Sequence, residues 1–109
     1  MTVEEVTEIV RLQAADDLRT IYCHGITLEQ ALVAPKKISV IARSVRGSKI
    51  SDQQLEVWLV GLENSHDGYK IIMRDDGLQF GLASHGFPSD KHPILVGWYG
   101  SLRSACIGM

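Results

Sequence analysis

Hydrophobic positions recur every three to four residues over the first stretch of the chain, and every two residues from Lys37 onward. Val3, Val6, Val10, Ala14, Leu18 and Ile21 fall on one face at a mean spacing of about 3.6, the signature of an amphipathic helix. Thr2 and Glu5 form a capping box ahead of it, in which hydroxyl and carboxylate satisfy each other's backbone amides. Early acids and later bases suit the helix dipole, and Gly25 is the expected stop. A second capping box, Thr27 with Gln30, predicts a short helix through Leu28, Ala31 and Leu32, ended by Pro35.

The change of period predicts strands. Ile38, Val40 and Ala42 alternate with Ser39, Ile41 and Arg43 before a turn at Arg46-Gly47-Ser48-Lys49. Leu55 to Leu62 is apolar on both faces, as expected of a strand covered on both sides within a sheet. A two-residue Asp76-Gly77 turn would set Met73 opposite Phe80, Ile71 opposite Leu82, and Tyr69 opposite Ser84. On the other face, Arg74 would meet Gln79, Ile72 Gly81, and Lys70 Ala83. A slip of one residue would scatter the large apolar side chains across both faces. Ser84 to His92 reads as a loop. Beyond it, Leu95, Trp98 or Tyr99, Leu102, Ala105 or Cys106, and Met109 return to helical spacing and predict a terminal helix, although Ile94 to Tyr99 also suits a strand. The expected fold is a single α+β domain: an N-terminal helix, a short second helix, a mostly antiparallel sheet of about four strands and a C-terminal helix.

Composition fits one globular domain. The chain has 109 residues, 45% hydrophobic and 22% charged. Lys plus Arg number 11 against 13 Asp plus Glu, which removes the electrostatic case for a general nucleic-acid or membrane binder. The acidic N-terminus lacks a signal peptide's basic and apolar regions, and two distant cysteines do not suggest a disulfide framework. The expected location is the cytoplasm.

Candidate chemistry is sparse. His24, His66, His85 and His92 show no metal-ligand spacing, so no metal or other cofactor is expected. Cys23 and His24 are neighbours whose side chains diverge, which is not a catalytic dyad. Asp75-Asp76 before Gly77 has a sufficient reason in turn chemistry. The glycines form no phosphate-binding pattern, and large aromatics most often supply core area. One feature remains. Glu56, Glu63, Asp67, Asp75 and Asp76 outnumber Lys70 and Arg74, and would form an acidic patch if the turns 63–68 and 75–77 were neighbours.

Several stretches between Ile26 and Met109 carry a resemblance: Thr27-Leu28-Glu29-Gln30-Ala31-Leu32, Val57-Trp58-Leu59-Val60-Gly61, Asp67-Gly68-Tyr69-Lys70, Asp76-Gly77-Leu78-Gln79-Phe80-Gly81-Leu82-Ala83-Ser84 and Gly97-Trp98-Tyr99-Gly100-Ser101-Leu102. In these the chain resembles small bacterial immunity proteins of contact-dependent growth inhibition. The resemblance implies a cytosolic, non-enzymatic protein that binds the toxic C-terminal domain of a delivery protein, often a nuclease acting on tRNA. On that expectation Glu56, Glu63, Asp67, Asp75 and Asp76 meet a basic toxin surface, with Tyr69 as an aromatic anchor. Two rival expectations are a metal-binding or enzymatic domain built on His85, His92 and Cys106 or Cys23, and an accessory subunit that homodimerises through an exposed sheet edge.

Overall fold

The computed structural model describes residues 1–21, 25–63, 68–84 and 91–109. Helix α1 (Val3–Ala14) opens with the expected capping box: Thr2 Oγ1 accepts from Glu5 N–H at 3.2 Å and Glu5 Oε1 from Thr2 N–H at 3.1 Å. The helix is shorter than its apolar spacing implies. It ends at Ala14, and Leu18 and Ile21 beyond it are exposed. Asp16 and Asp17 supply the reason: two carboxylates at a helix C-terminus oppose the dipole, and the Asp17 N–H turns back to the Ala14 carbonyl.

The second capping box also forms, Thr27 with Gln30, but α2 (Leu28–Ala31) is one turn long. Pro35 does not end it. Strand β1 (Leu32–Arg46) begins at once, and Pro35 sits inside it where the register shifts between Leu32 and Lys36. A proline cannot donate to the ladder and is tolerated at such irregularities. Strand β1 turns at Gly47, whose positive φ of 61° suits a tight hairpin, into β2 (Lys49–Leu62).

Strands β3 (Lys70–Arg74) and β4 (Phe80–Ser84) pair in the expected register, with Lys70, Ile71, Ile72 and Met73 opposite Ala83, Leu82, Gly81 and Phe80. The connection is longer than a two-residue turn. The Gly77 N–H bonds the Arg74 carbonyl, and the ladder closes at Arg74 N–H to the Gln79 carbonyl. The turn therefore has Asp75 and Asp76 at its centre, with Gly77 at φ 74° leading out.

Two further corrections concern the C-terminal segment and the sheet. Ile94–Gly100 is strand β5, and only Leu102–Ile107 is helix, α3. Gly100 at φ 84° breaks the chain between them, and Ser101 Oγ caps α3 by accepting from Ser104 N–H. The helical spacing has a strand explanation. Register shifts against β4 leave Val96 and Tyr99 as extra residues, so Leu95 and Trp98 turn to the same side although three apart. With this fifth strand the sheet closes into a barrel in the order β1-β2-β3-β4-β5. An up-and-down barrel with an odd number of strands must close on a parallel contact, here Ile41 against Ile94, with the Ile41 N–H on the Pro93 carbonyl.

The core has two layers. Val40, Val57, Ile72 and Ala83 fill the barrel, joined by Ile38, Leu55, Leu95 and Trp98. The outer faces of β2, β3 and β4 (Trp58, Val60, Ile71, Met73, Phe80 and Leu82) pack against the three helices through residues such as Val6, Val10, Leu28, Leu102 and Cys106. Leu55 to Leu62 is apolar on both faces because β2 serves both layers. Gly81 is needed where β4 meets β5: a Cβ there would strike the Gly97 carbonyl and lie 2.7 Å from the Trp98 ring.

Candidate functional site

An open cavity of about 440 Å³ lies beside the β3–β4 turn, lined by Leu55, Glu56, Val57, Arg74, Asp75, Asp76 and Trp98. Strand β2 supplies Leu55, Glu56 and Val57, the turn supplies the aspartates, and the bulged β5 brings in Trp98. The cavity thus has an apolar and a charged part, and three of the acidic residues singled out by sequence line it, with the Glu56 and Asp75 carboxylates turned toward the outer face of the sheet.

Each rim carboxylate is held in place. Asp75 Oδ1 accepts from Trp58 Nε1 at 2.9 Å and is 2.9 Å from Lys37 Nζ, while Lys37 lies over the Trp58 ring at 5.4 Å from its centre. The Lys37 ammonium first, and the indole N–H second, hold the Asp75 carboxyl below its ordinary range. Arg74 grips Asp76 Oδ2 through Nε at 2.8 Å and through its terminal nitrogen, and the Leu78 N–H donates to Oδ1. Arg74 is the main cause of the lowered Asp76 pKa. Glu56 accepts from Ser39 Oγ at 2.7 Å, and Gln54 Nε2 donates to that hydroxyl at 3.1 Å. The rim therefore sets three carboxylates against Lys37 and Arg74. Glu56, met by a neutral hydroxyl, supplies the net negative charge.

The remaining sequence candidates lie elsewhere. Glu63 and Gly68 lie at the end of β3 opposite residues 75–77, about 17 Å away for a five-residue strand. Glu63 and Tyr69 line a separate polar hollow of about 250 Å³ with Gly68 and Ser84, where the Glu63 N–H donates to the Tyr69 carbonyl. Tyr69 is half-buried and packs on the outer core layer. Asp67 lies outside the described residues, as do Cys23, His24, His66 and His85. Cys106 is fully buried, and burial pushes its thiol up to about 11, which makes a reactive thiolate unfavourable. Among the described residues no group of three His, Cys, Asp or Glu side chains could hold a metal ion.

Sequence reasoning missed the partners rather than the carboxylates. Nothing in the spacing links Lys37 or Trp58 to Asp75, because the β1–β2 and β2–β3 registers bring them together. It also missed Asp17, which is buried where Arg103 of α3 forks onto both its oxygens at 3.0 and 3.1 Å. An apolar groove of about 390 Å³ between α1 and the start of β1, lined by residues such as Val10, Ala14, Leu32 and Pro35, presents few polar groups. Compared with protein-family models, characterised proteins and solved structures, the chain matches none. No described helix is long and apolar enough to cross a membrane.

Proposed function

We propose that the domain acts by protein–protein contact through the rim of the barrel cavity, as an immunity protein that neutralises a basic toxin domain. The observation that carries the reading is the gathering of Glu56, Asp75 and Asp76 around one cavity beside apolar Leu55, Val57 and Trp98. A rim already fixed by hydrogen bonds loses little side-chain freedom on docking. Its charge favours encounter with a cationic partner, and the apolar side chains beside it provide area to bury. The toxin class, a nuclease acting on tRNA, comes from the family resemblance alone. No catalytic residue is assigned.

The test is co-expression with any candidate toxin domain encoded beside this chain, following complex formation and tRNA cleavage together. Glu56→Lys reverses the rim carboxylate that meets no cation among the described residues. It should slow association roughly tenfold at low salt and much less at high salt. An unchanged on-rate removes the rim from the account, and a chain that neither binds nor protects removes the immunity reading.

A further inference from the structure

The net charge of −2 conceals a division by sheet face in the β1–β2 hairpin. Successive pairs of its ladder turn to opposite sides. One side carries Asp52 and Glu56, the hairpin's carboxylates, with Asp52 held by Arg43 at 2.8 and 3.0 Å and Glu56 by Ser39. The other side continues the inner face of the barrel, from Val40 and Leu55 through Gln53 to Ser44 with Ser51 and, at the tip, Arg46 with Lys49. That side holds two cations and no acid.

Arg46 and Lys49 face each other across the ladder, an opposition of like charges that costs stability unless an anion stands between them. Neither meets a carboxylate among the described residues. With Ser44 and Ser51 they line a hollow of about 350 Å³, where two hydroxyls can donate beside the two cations. At the other end of the same face, roughly 20 Å away along β2 from Lys49 to Leu55, the half-buried Trp98 lines the barrel cavity. The carboxylates near that end are occupied or turned away: Asp75 is paired with Lys37, Asp76 with Arg74, and Glu56 lies on the opposite side of the ladder.

We infer that this face binds single-stranded nucleic acid, with a phosphate between Arg46 and Lys49 and a base against the Trp98 ring. The partner follows from the two ends taken together. Cations alone would take any anion, an acidic peptide included, whereas an accessible aromatic ring offers a surface on which any base can stack. Ser44, Ser51 and Gln53 lie between the two ends and can donate to the intervening phosphates. A duplex has no free base to offer the ring, so the strand must be single. The inference does not rest on the immunity reading, because the strand meets this chain without a toxin.

Fluorescence anisotropy of fluorescein-labelled hexauridylate, titrated with the full chain alone, tests this. Binding at low salt should saturate at about 1–100 µM protein. With two phosphates neutralised, the logarithm of the affinity should fall by about 1.4 per decade of salt. Lys49→Gln should weaken binding roughly tenfold at low salt and cut that slope to about 0.7. Arg19→Gln removes one exposed cation elsewhere on the surface and should change neither. Iodouridine placed in the same oligomer should cross-link to Trp98 on irradiation. Absence of saturable binding, a loss as large in Arg19→Gln, cross-linking that misses Trp98, or displacement by duplex RNA or polyglutamate as readily as by the unlabelled strand overturns the inference.

Discussion

Asp75 shows how one residue can read correctly in sequence and still be misjudged. Its place before Asp76-Gly77 marks a turn, and a turn is what it forms. Its acceptor role for a buried indole and its ion pair with Lys37 arise from strands separated in sequence, so no local pattern announces them. The consequence for pH follows from direction alone. Asp75, Asp76 and Asp52 all sit below their ordinary value of 3.8 in the folded chain, chiefly through Lys37, Arg74 and Arg43 respectively. The unfolded chain therefore takes up protons first as pH falls. The stability these pairs add is fully present above the ordinary carboxylate value, and is lost as pH drops through the folded values. Melting temperature should be flat at mildly acidic pH and fall below about pH 4. Asp75→Asn keeps an acceptor for Trp58 but cannot ionise. Its melting temperature should start lower at neutral pH and fall less steeply in acid. A variant curve parallel to the wild type would show that Asp75 takes no part in the linkage.

At the scale of elements, what was legible divides by how local its cause is. Both capping boxes, the Gly47 turn and the β3–β4 register depend on residues near one another, and all form. The boundary of α1 was legible in Asp16-Asp17 but was overridden by the run of apolar spacings. Strand β5 was hidden because its bulges turn Leu95 and Trp98 to one side at a helical interval. The docking of α3 could not be read at all, since Asp17 and Arg103 meet only in the folded chain. That contact makes its own prediction. Arg103→Ala leaves the largely buried Asp17 carboxylate without its fork, and should destabilise the domain by about 1–2 kcal/mol, below the cost of breaking a fully buried pair because Arg103 is itself 60% exposed. Because α3 carries Cys106 into the core, the same variant in a C23S background should react with a thiol reagent faster than its parent. An unchanged labelling rate would mean that α3 is held by Leu102, Ala105 and Cys106 alone.

At the scale of the whole molecule, the barrel and the arm, the stretch beyond Ile41 and before Val57 where β1 and β2 pair only with each other among the described residues, answer to different demands. The barrel and its three helices contain both layers of the core, whereas the outer arm contributes Val45 and Ile50, each about two-thirds exposed, and no buried side chain beyond Val40. With the arm included the molecule measures 44 × 31 × 21 Å, yet the fold gains little from the arm's length. The sequence pattern marked the hairpin correctly but not that it outruns its neighbours, because that depends on where β3 and β5 stop. Replacing residues 45–50 with Asn-Gly would join Ser44 to Ser51, already opposite one another as a hydrogen-bonded pair, through a two-residue turn that suits strand twist. The shortened chain should fold, with a stability within about 0.5 kcal/mol of the parent by chemical denaturation. A loss of several kcal/mol would place the arm within the cooperative unit of the fold.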